Sequence, residues 1–270
     1  MRLLIFGPGY AASRLIARLA DRADITTVTR DSFAGRAGDI AGATHILSTV
    51  PPGEDDPVLA AYGAGIAASG AWIGYLSSTG VYGDAAGAWV DESAPVGTGR
   101  RTARARADAA WRALPNARVF RLPGIYGPGR SPLDRIRAGA ATRIDLPGQV
   151  FSRVHVDDIV SGVIAGFDGP PGAYNLADDL PAPQSDVLAY GCALLGLPVP
   201  PLVPLEQASL SPQARAFYAE NRRVANGKAK RVLGWTPRYP DYRFGLRALS
   251  ATTSPATTST APPAASHDQR

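Results

Sequence analysis

The chain opens on a short apolar run, residues 2–6 (RLLIF), that stops at a glycine, after which the period of apolar positions changes. A nearly continuous apolar run of this length suits a parallel strand covered on both faces. From Tyr10 to Arg22, Leu15, Ile16, Leu19 and Ala20 fall on one helical face and Arg14, Arg18, Asp21 and Arg22 on the other. The predicted order is strand, glycine turn, helix. Short apolar runs predict further strands at 25–29, 45–50, 72–78 and 117–122, separated by helical or turn-rich segments. Such alternation predicts an α/β protein with a parallel sheet. Too little chain lies between Thr29 and Thr44 for a full helix and strand, so the second crossover is predicted to be abbreviated.

From about Gly139 the pattern shifts to short, proline-rich elements, with helical stretches at 156–167, 184–195 and 211–220. They predict a smaller lobe drawn mainly from 139–250, attached to the sheet domain. Residues 251–270, mostly Ala, Thr, Ser and Pro, offer nothing to bury and are expected to be disordered.

The first turn carries the chemistry. Residues 7–12 (GPGYAA) fit Gly-x-Gly-x-x-Ala. Gly7 permits the tight turn, Gly9 lets the backbone approach a pyrophosphate, and the small Ala12 lets the helix pack close to the sheet. The helix N-terminus, beginning at Tyr10, then presents unpaired N–H groups and the positive end of the dipole to the phosphates. Because the motif follows a strand and opens an amphipathic helix, the chain is predicted to be a Rossmann-type, doubly wound parallel sheet that binds NAD(P). The second strand ends in Arg30, where an NAD-selective site would have Asp or Glu, so NADP is expected; Asp31 beside it keeps NAD open.

Composition changes this picture little. At 270 residues, 45% hydrophobic and 19% charged, the sequence is that of an ordinary globular protein. The net charge of +5 comes from arginines spread along the chain with no recognition motif, so nucleic acid is not expected as a partner. The single cysteine, Cys192, excludes an intrachain disulfide and sits in an apolar stretch that predicts packing. The three histidines are isolated from it and from one another, so no metal site is expected. Without a secretory pattern or an apolar run of membrane length, the expected location is cytoplasmic, with no membrane partner. A homodimer is one assembly the sequence leaves open.

Several segments together resemble the extended or atypical branch of the short-chain dehydrogenase/reductase superfamily, related to NAD-dependent epimerase/dehydratase proteins. They are GPGYAA, AGDIAG with Asp39, YLSSTGVYGD (75–84), RLPGIYGPGR (121–130), RVHVDDIV (153–160) and NLADDLP (175–181), and the resemblance spans about residues 1–250. It implies Asp39 near the adenine, and Ser48 and Thr49 beside the cofactor at the end of the fourth strand. It also implies Ser78 as the serine that orients the reacting substrate oxygen, with Thr79 a neighbouring candidate, and Pro123, Gly124 and Ile125 against the nicotinamide. For Ser78 and Thr79 the structural alternative is strand-end capping. His155 reads as structural, and Asp157 and Asp158 as N-terminal capping charges of a helix at the lobe junction.

The superfamily's Tyr-x-x-x-Lys is absent. Alignment on the acidic residue of ADAAW (107–111) puts Arg101 at the tyrosine site and Ala105 at the lysine site. Arginine cannot release a proton near neutral pH, although it stabilises negative charge. Arg100, Arg101, Arg104 and Arg106 all lie on this helix, and Arg101 and Arg104 share a face. Tyr82 and Tyr126 are the tyrosines available as substitutes. Three functions follow in order: hydride transfer with a small carbonyl or hydroxyl substrate; an inactive NADP-binding sensor or regulator; and a nucleotide-sugar epimerase or dehydratase, which leans on the missing tyrosine.

Overall fold

The computed structural model describes residues 1–100 and 102–253; the tail expected to be disordered falls, beyond Thr253, outside the described residues, as does Arg101. The N-terminal part runs β1 (Arg2–Phe6), α1 (Tyr10–Leu19), β2 (Asp24–Val28), α2 (Ala37–Gly42), β3 (His45–Ser48), α3 (Pro57–Ala68) and β4 (Trp72–Ser78). A 3₁₀ turn, Thr79–Tyr82, leads to β5 (Trp89–Val90), α4 (Thr102–Arg112), β6 (Ala117–Leu122), β7 (Gly124–Tyr126) and α5 (Pro132–Arg137). Next come β8 (Arg143–Asp145), β9 (Arg153–His155), α6 (Val156–Ala165), β10 (Gly172–Asn175) and α7 (Gln184–Leu195). The chain closes with β11 (Leu202–Pro204), α8 (Pro212–Ala216), β12 (Arg223–Val224), α9 (Gly227–Leu233) and α10 (Tyr242–Thr253).

Six strands form one parallel sheet in the order β10-β6-β4-β3-β1-β2. Strand order reverses at β1, with β2 on one side and β3 on the other, which opens a crevice beyond their C-terminal ends. Period-two alternation divides the core. Leu3 and Ile5 of β1 pack with Leu15 and Leu19 of α1 and Val163 of α6 on one face. Leu4 and Phe6 pack with Val58 and Ile66 of α3 and Trp111 of α4 on the other. The abbreviated crossover is the six-residue α2. Among the described residues no strand lies outside β2 in the sheet, so the strand that carries Ser48 is the third in the chain, not the fourth.

The lobe has its own apolar cluster, in which Leu133, Val187, Cys192 and Leu246 are buried. Two two-stranded parallel ladders tie it to the sheet domain, β7 with β9 and β5 with β12, and a third, β8 with β11, lies within the lobe. At the junction, His155 is the N-cap of α6, accepting from Asp157 N at 3.2 Å, and Asp157 and Asp158 are the acidic charges of the first turn and not the cap itself. Asp157 instead pairs with Arg14 of α1 at 2.8 Å, and Asp158 accepts from the backbone N–H groups of Arg238 (2.7 Å) and Tyr239 (3.0 Å). Burial pushes His155 down to about 4 and Asp158 up to about 6. Among the described residues no helix is long and apolar enough to cross a membrane.

Candidate active site

A cleft of about 790 Å³ runs from the glycine turn to the lobe. Its first end is built by local rules. Gly7 adopts φ +78°, the left-handed region in which a side chain is strained, and a Cβ there would also lie 2.9 Å from Val50 Cγ2. Thr49 Oγ1 donates to the Gly7 carbonyl and fixes the turn. Gly9 is the N-cap of α1, with no side-chain cap and no carboxylate in the first turn. The helix therefore keeps uncompensated N–H donors where Gly9, Tyr10 and Ala11 line the cleft. A Cβ on Gly9 would meet nothing nearer than the Gly7 carbonyl at 4.0 Å, so the protein's own packing does not demand glycine there. The residues present therefore fit a dinucleotide pyrophosphate.

Tyr10 donates to the Pro128 carbonyl (3.0 Å), and the Arg130 guanidinium lies 5.6 Å over its ring. Arg130 lines the cleft. Sequence reasoning quoted its segment, GPGR, without singling the arginine out; a cation on a glycine-rich loop that follows a sheet strand was the available signal. Ala12 is buried against the sheet, as its size predicts.

The opposite wall is the C-terminal end of β4. Ser78 and Thr79 both line the cleft. Ser78 Oγ accepts from Gly80 N at 3.1 Å, capping the 3₁₀ turn, and has no protein acceptor for its own proton among the described residues. Pro123, Gly124 and Ile125 line the cleft from the β6–β7 junction. Thr49 does so from the end of β3, whereas Ser48 is wholly buried and its hydroxyl is unpartnered. Arg30 and Asp39 lie away from this lining: Arg30 is exposed after β2, and Asp39 pairs with Arg36 at 3.1 Å on α2.

Tyr82 is a correction to the sequence reading. Its ring is buried behind the wall, where its hydroxyl donates to Asn175 Oδ1 (2.7 Å) and accepts from Arg121 Nη1 (2.9 Å). Burial pushes it up to about 12. It is one member of a buried network: Arg121 makes a fork to Asp108 (2.7 and 3.0 Å), and Ser77 donates to the same carboxylate (2.6 Å). Tyr126 is buried with its hydroxyl unpartnered, edge-on to His155. On α4, Ala105 is buried, whereas Arg104 lines the cleft and donates to Tyr75 OH at 3.2 Å.

These features define the class by fold: a human epimerase family protein, SDR39U1, solved with NADPH, superposes with a TM-score of 0.72 at 17% identity, over 93% of this chain and 99% of that one. A dTDP-glucose 4,6-dehydratase from Bacillus anthracis, solved with NAD, gives 0.71 at 16% identity, over 93% and 96%. The chain shares the fold of these two proteins. A functionally unknown conserved protein from Silicibacter pomeroyi is far nearer in sequence, at 44% identity and a TM-score of 0.83, over 93% of this chain and 98% of that one. The chain belongs to the same family as that protein. A 3-diazoavenalumate denitrifying reductase from Streptomyces is 31% identical over 140 residues, which is 47% of this chain and 45% of the reductase, so less than half of that protein's length is matched. No family model matches the chain.

Proposed function

We propose that the chain is an NAD(P)-dependent oxidoreductase of the epimerase-like type, using NADP on a small carbonyl or hydroxyl substrate. The observation that carries this reading is the juxtaposition, along one cleft, of the uncapped α1 N-terminus at Gly9 and the Ser78 hydroxyl at the end of β4. Support comes from relatives of the same fold solved with NADPH or NAD, and from the reductase named above. A bound nicotinamide would supply hydride exchange.

In this reading Gly7 and Gly9 with the first turn of α1 hold the pyrophosphate, and Pro123, Gly124 and Ile125 wall the nicotinamide. Arg30 selects the 2′-phosphate, and Asp39 and Thr49 flank the adenosine and the turn. Ser78 donates its free O–H to the substrate oxygen, with Thr79 beside it. Arg104 offers a fixed positive charge on α4, so it steadies negative charge and relays no proton.

NADPH and NADH titrations of wild type, Gly9→Val and Arg30→Ala test the cofactor assignment. Gly9→Val is expected to keep the fold and lose roughly tenfold or more in NADPH affinity, and Arg30→Ala to lose NADPH but not NADH affinity. Equal NADPH affinity in wild type and Gly9→Val would sink it. Oxidation of NADPH over aldehydes and ketones, abolished by Ser78→Ala, tests the chemistry. NADPH binding without turnover on a broad panel would replace it with the sensor reading.

A further inference from the structure

Past the nicotinamide end, the cleft wall changes character. Phe151, Phe217 and Tyr218 form an aromatic face: the Phe151 and Tyr218 rings meet edge to face, 5.4 Å between centroids, and the Arg100 guanidinium lies 5.8 Å over Phe217. Leu188, Leu210 and Ala214 continue it. Two of the neutral polar side chains here are tied to the protein. Ser152 Oγ accepts from Val224 N (2.9 Å), and Gln184 Oε1 accepts from Arg153 (2.9 Å). An apolar, ring-bearing wall with few free hydrogen-bonding groups matches a planar aromatic body and not a polyhydroxylated one.

The charges are one-sided. Arg100, Arg104, Arg130, Arg135, Arg153 and Arg222 line the cleft, and Glu220 is the lining carboxylate among the described residues. Glu220 is already held by Arg222 at 3.0 Å and Arg100 at 3.6 Å. Arg104 and Arg135 have no carboxylate partner among the described residues; Arg135 reaches only the Ala140 carbonyl, at 3.4 Å. Arg135 lines the same cleft as Phe151, Phe217 and Tyr218. An exposed guanidinium at the mouth of the cleft that meets no carboxylate, beside an apolar wall, can take an anion.

We infer that the substrate is an aryl carboxylate, its ring against Phe151, Phe217 and Tyr218 and its carboxylate on Arg135. This deepens the oxidoreductase reading and rests on it. The test is calorimetric. NADP is titrated into wild type and Arg135→Gln; cinnamate, cinnamamide and UDP-glucose are then titrated into each NADP-saturated protein. Cinnamate is expected to bind wild type roughly tenfold more tightly than the uncharged cinnamamide, and Arg135→Gln to erase that preference. Binding of UDP-glucose in place of cinnamate, or an equal cinnamate preference in both proteins, overturns the inference. If NADP itself does not bind, the oxidoreductase reading fails; the same carboxylate preference is then required of the protein alone, and its absence overturns the inference too. Phe217→Ala, a change on an exposed ring, is expected to weaken cinnamate and cinnamamide alike, which separates loss of the aromatic face from loss of the charge.

Discussion

Replacing Asp108 with asparagine removes the charge that Arg121 was buried to meet. The two side chains are 1% and 0% exposed, and three donors converge on the carboxylate: Arg121 Nε, Arg121 Nη2 and Ser77 Oγ. An amide of the same shape keeps one acceptor oxygen and turns the other into a donor facing these groups, so a buried guanidinium is left without a counter-charge. Breaking such a pair costs about 3–5 kcal/mol, and at about 2–4 °C per kcal/mol for a chain of this size Tm should fall by about 6–20 °C. Urea unfolding followed by tryptophan fluorescence suits the measurement, because Trp111 lies on the same helix and stacks on Tyr75 at 5.2 Å. The double variant Asp108→Leu with Arg121→Met removes both charges and is expected to recover most of the loss. A loss below about 1 kcal/mol in Asp108→Asn, or a double variant no more stable than the single one, would refute the claim that charge burial sets the effect.

The two tyrosines separate in the same assay: Tyr82→Phe should cost about 1–2 kcal/mol by leaving Asn175 and Arg121 short of a partner, whereas Tyr126→Phe, which deletes a partnerless hydroxyl, should be neutral or stabilising. Neither should abolish NADPH oxidation if Ser78 is the group at the substrate; loss of turnover in Tyr82→Phe with the fold intact would restore it as the acid. Acid stability tests the helix junction. His155 has its folded value pushed down to about 4 from an ordinary value near 6.5, so the unfolded chain binds the extra proton, and stability present above pH 6.5 is lost as pH falls to about 4. His155→Gln should flatten that limb by up to about 3 kcal/mol in urea titrations at pH 4, 5 and 6.5. Asp158, raised to about 6, has the opposite sign, since the folded state holds the proton and stability falls as pH rises from about 4 to 6; Asp158→Asn should therefore change the same limb in the reverse direction.

What the sequence disclosed follows from the range of the interactions involved. The strands at 2–6, 72–78 and 117–122 and the helix at 184–195 occupy those spans because continuous apolar runs and helical periodicity are local properties. The glycine turn was readable for the same reason, since Gly7's left-handed φ is a demand of the turn itself. Ser48 was out of reach: neighbouring positions on a strand face opposite sides, and only the packed sheet shows that Thr49 meets the cleft while Ser48 is buried. Tyr82 misled because its segment does line the cleft, but its ring turns inward to Arg121 and Asn175, partners far away in sequence. The capping of α6 by His155 was hidden by two better-known capping residues, Asp157 and Asp158, two and three positions on. The aromatic and cationic wall is assembled from five separated stretches, none of which carries a motif of its own.

The three short ladders have a kinetic consequence. They join strands increasingly far apart in sequence, β7 with β9, β8 with β11 and above all β5 with β12, which flank β6 and β10 of the sheet. Closing such long loops is slow, because the entropy of bringing the ends together is lost before any contact rewards it. The β1–α1–β2 unit, with the glycine turn, closes over a short stretch of chain. The glycine-turn half of the cleft is therefore built from contacts near in sequence, whereas the opposite half depends on contacts made across long stretches of chain.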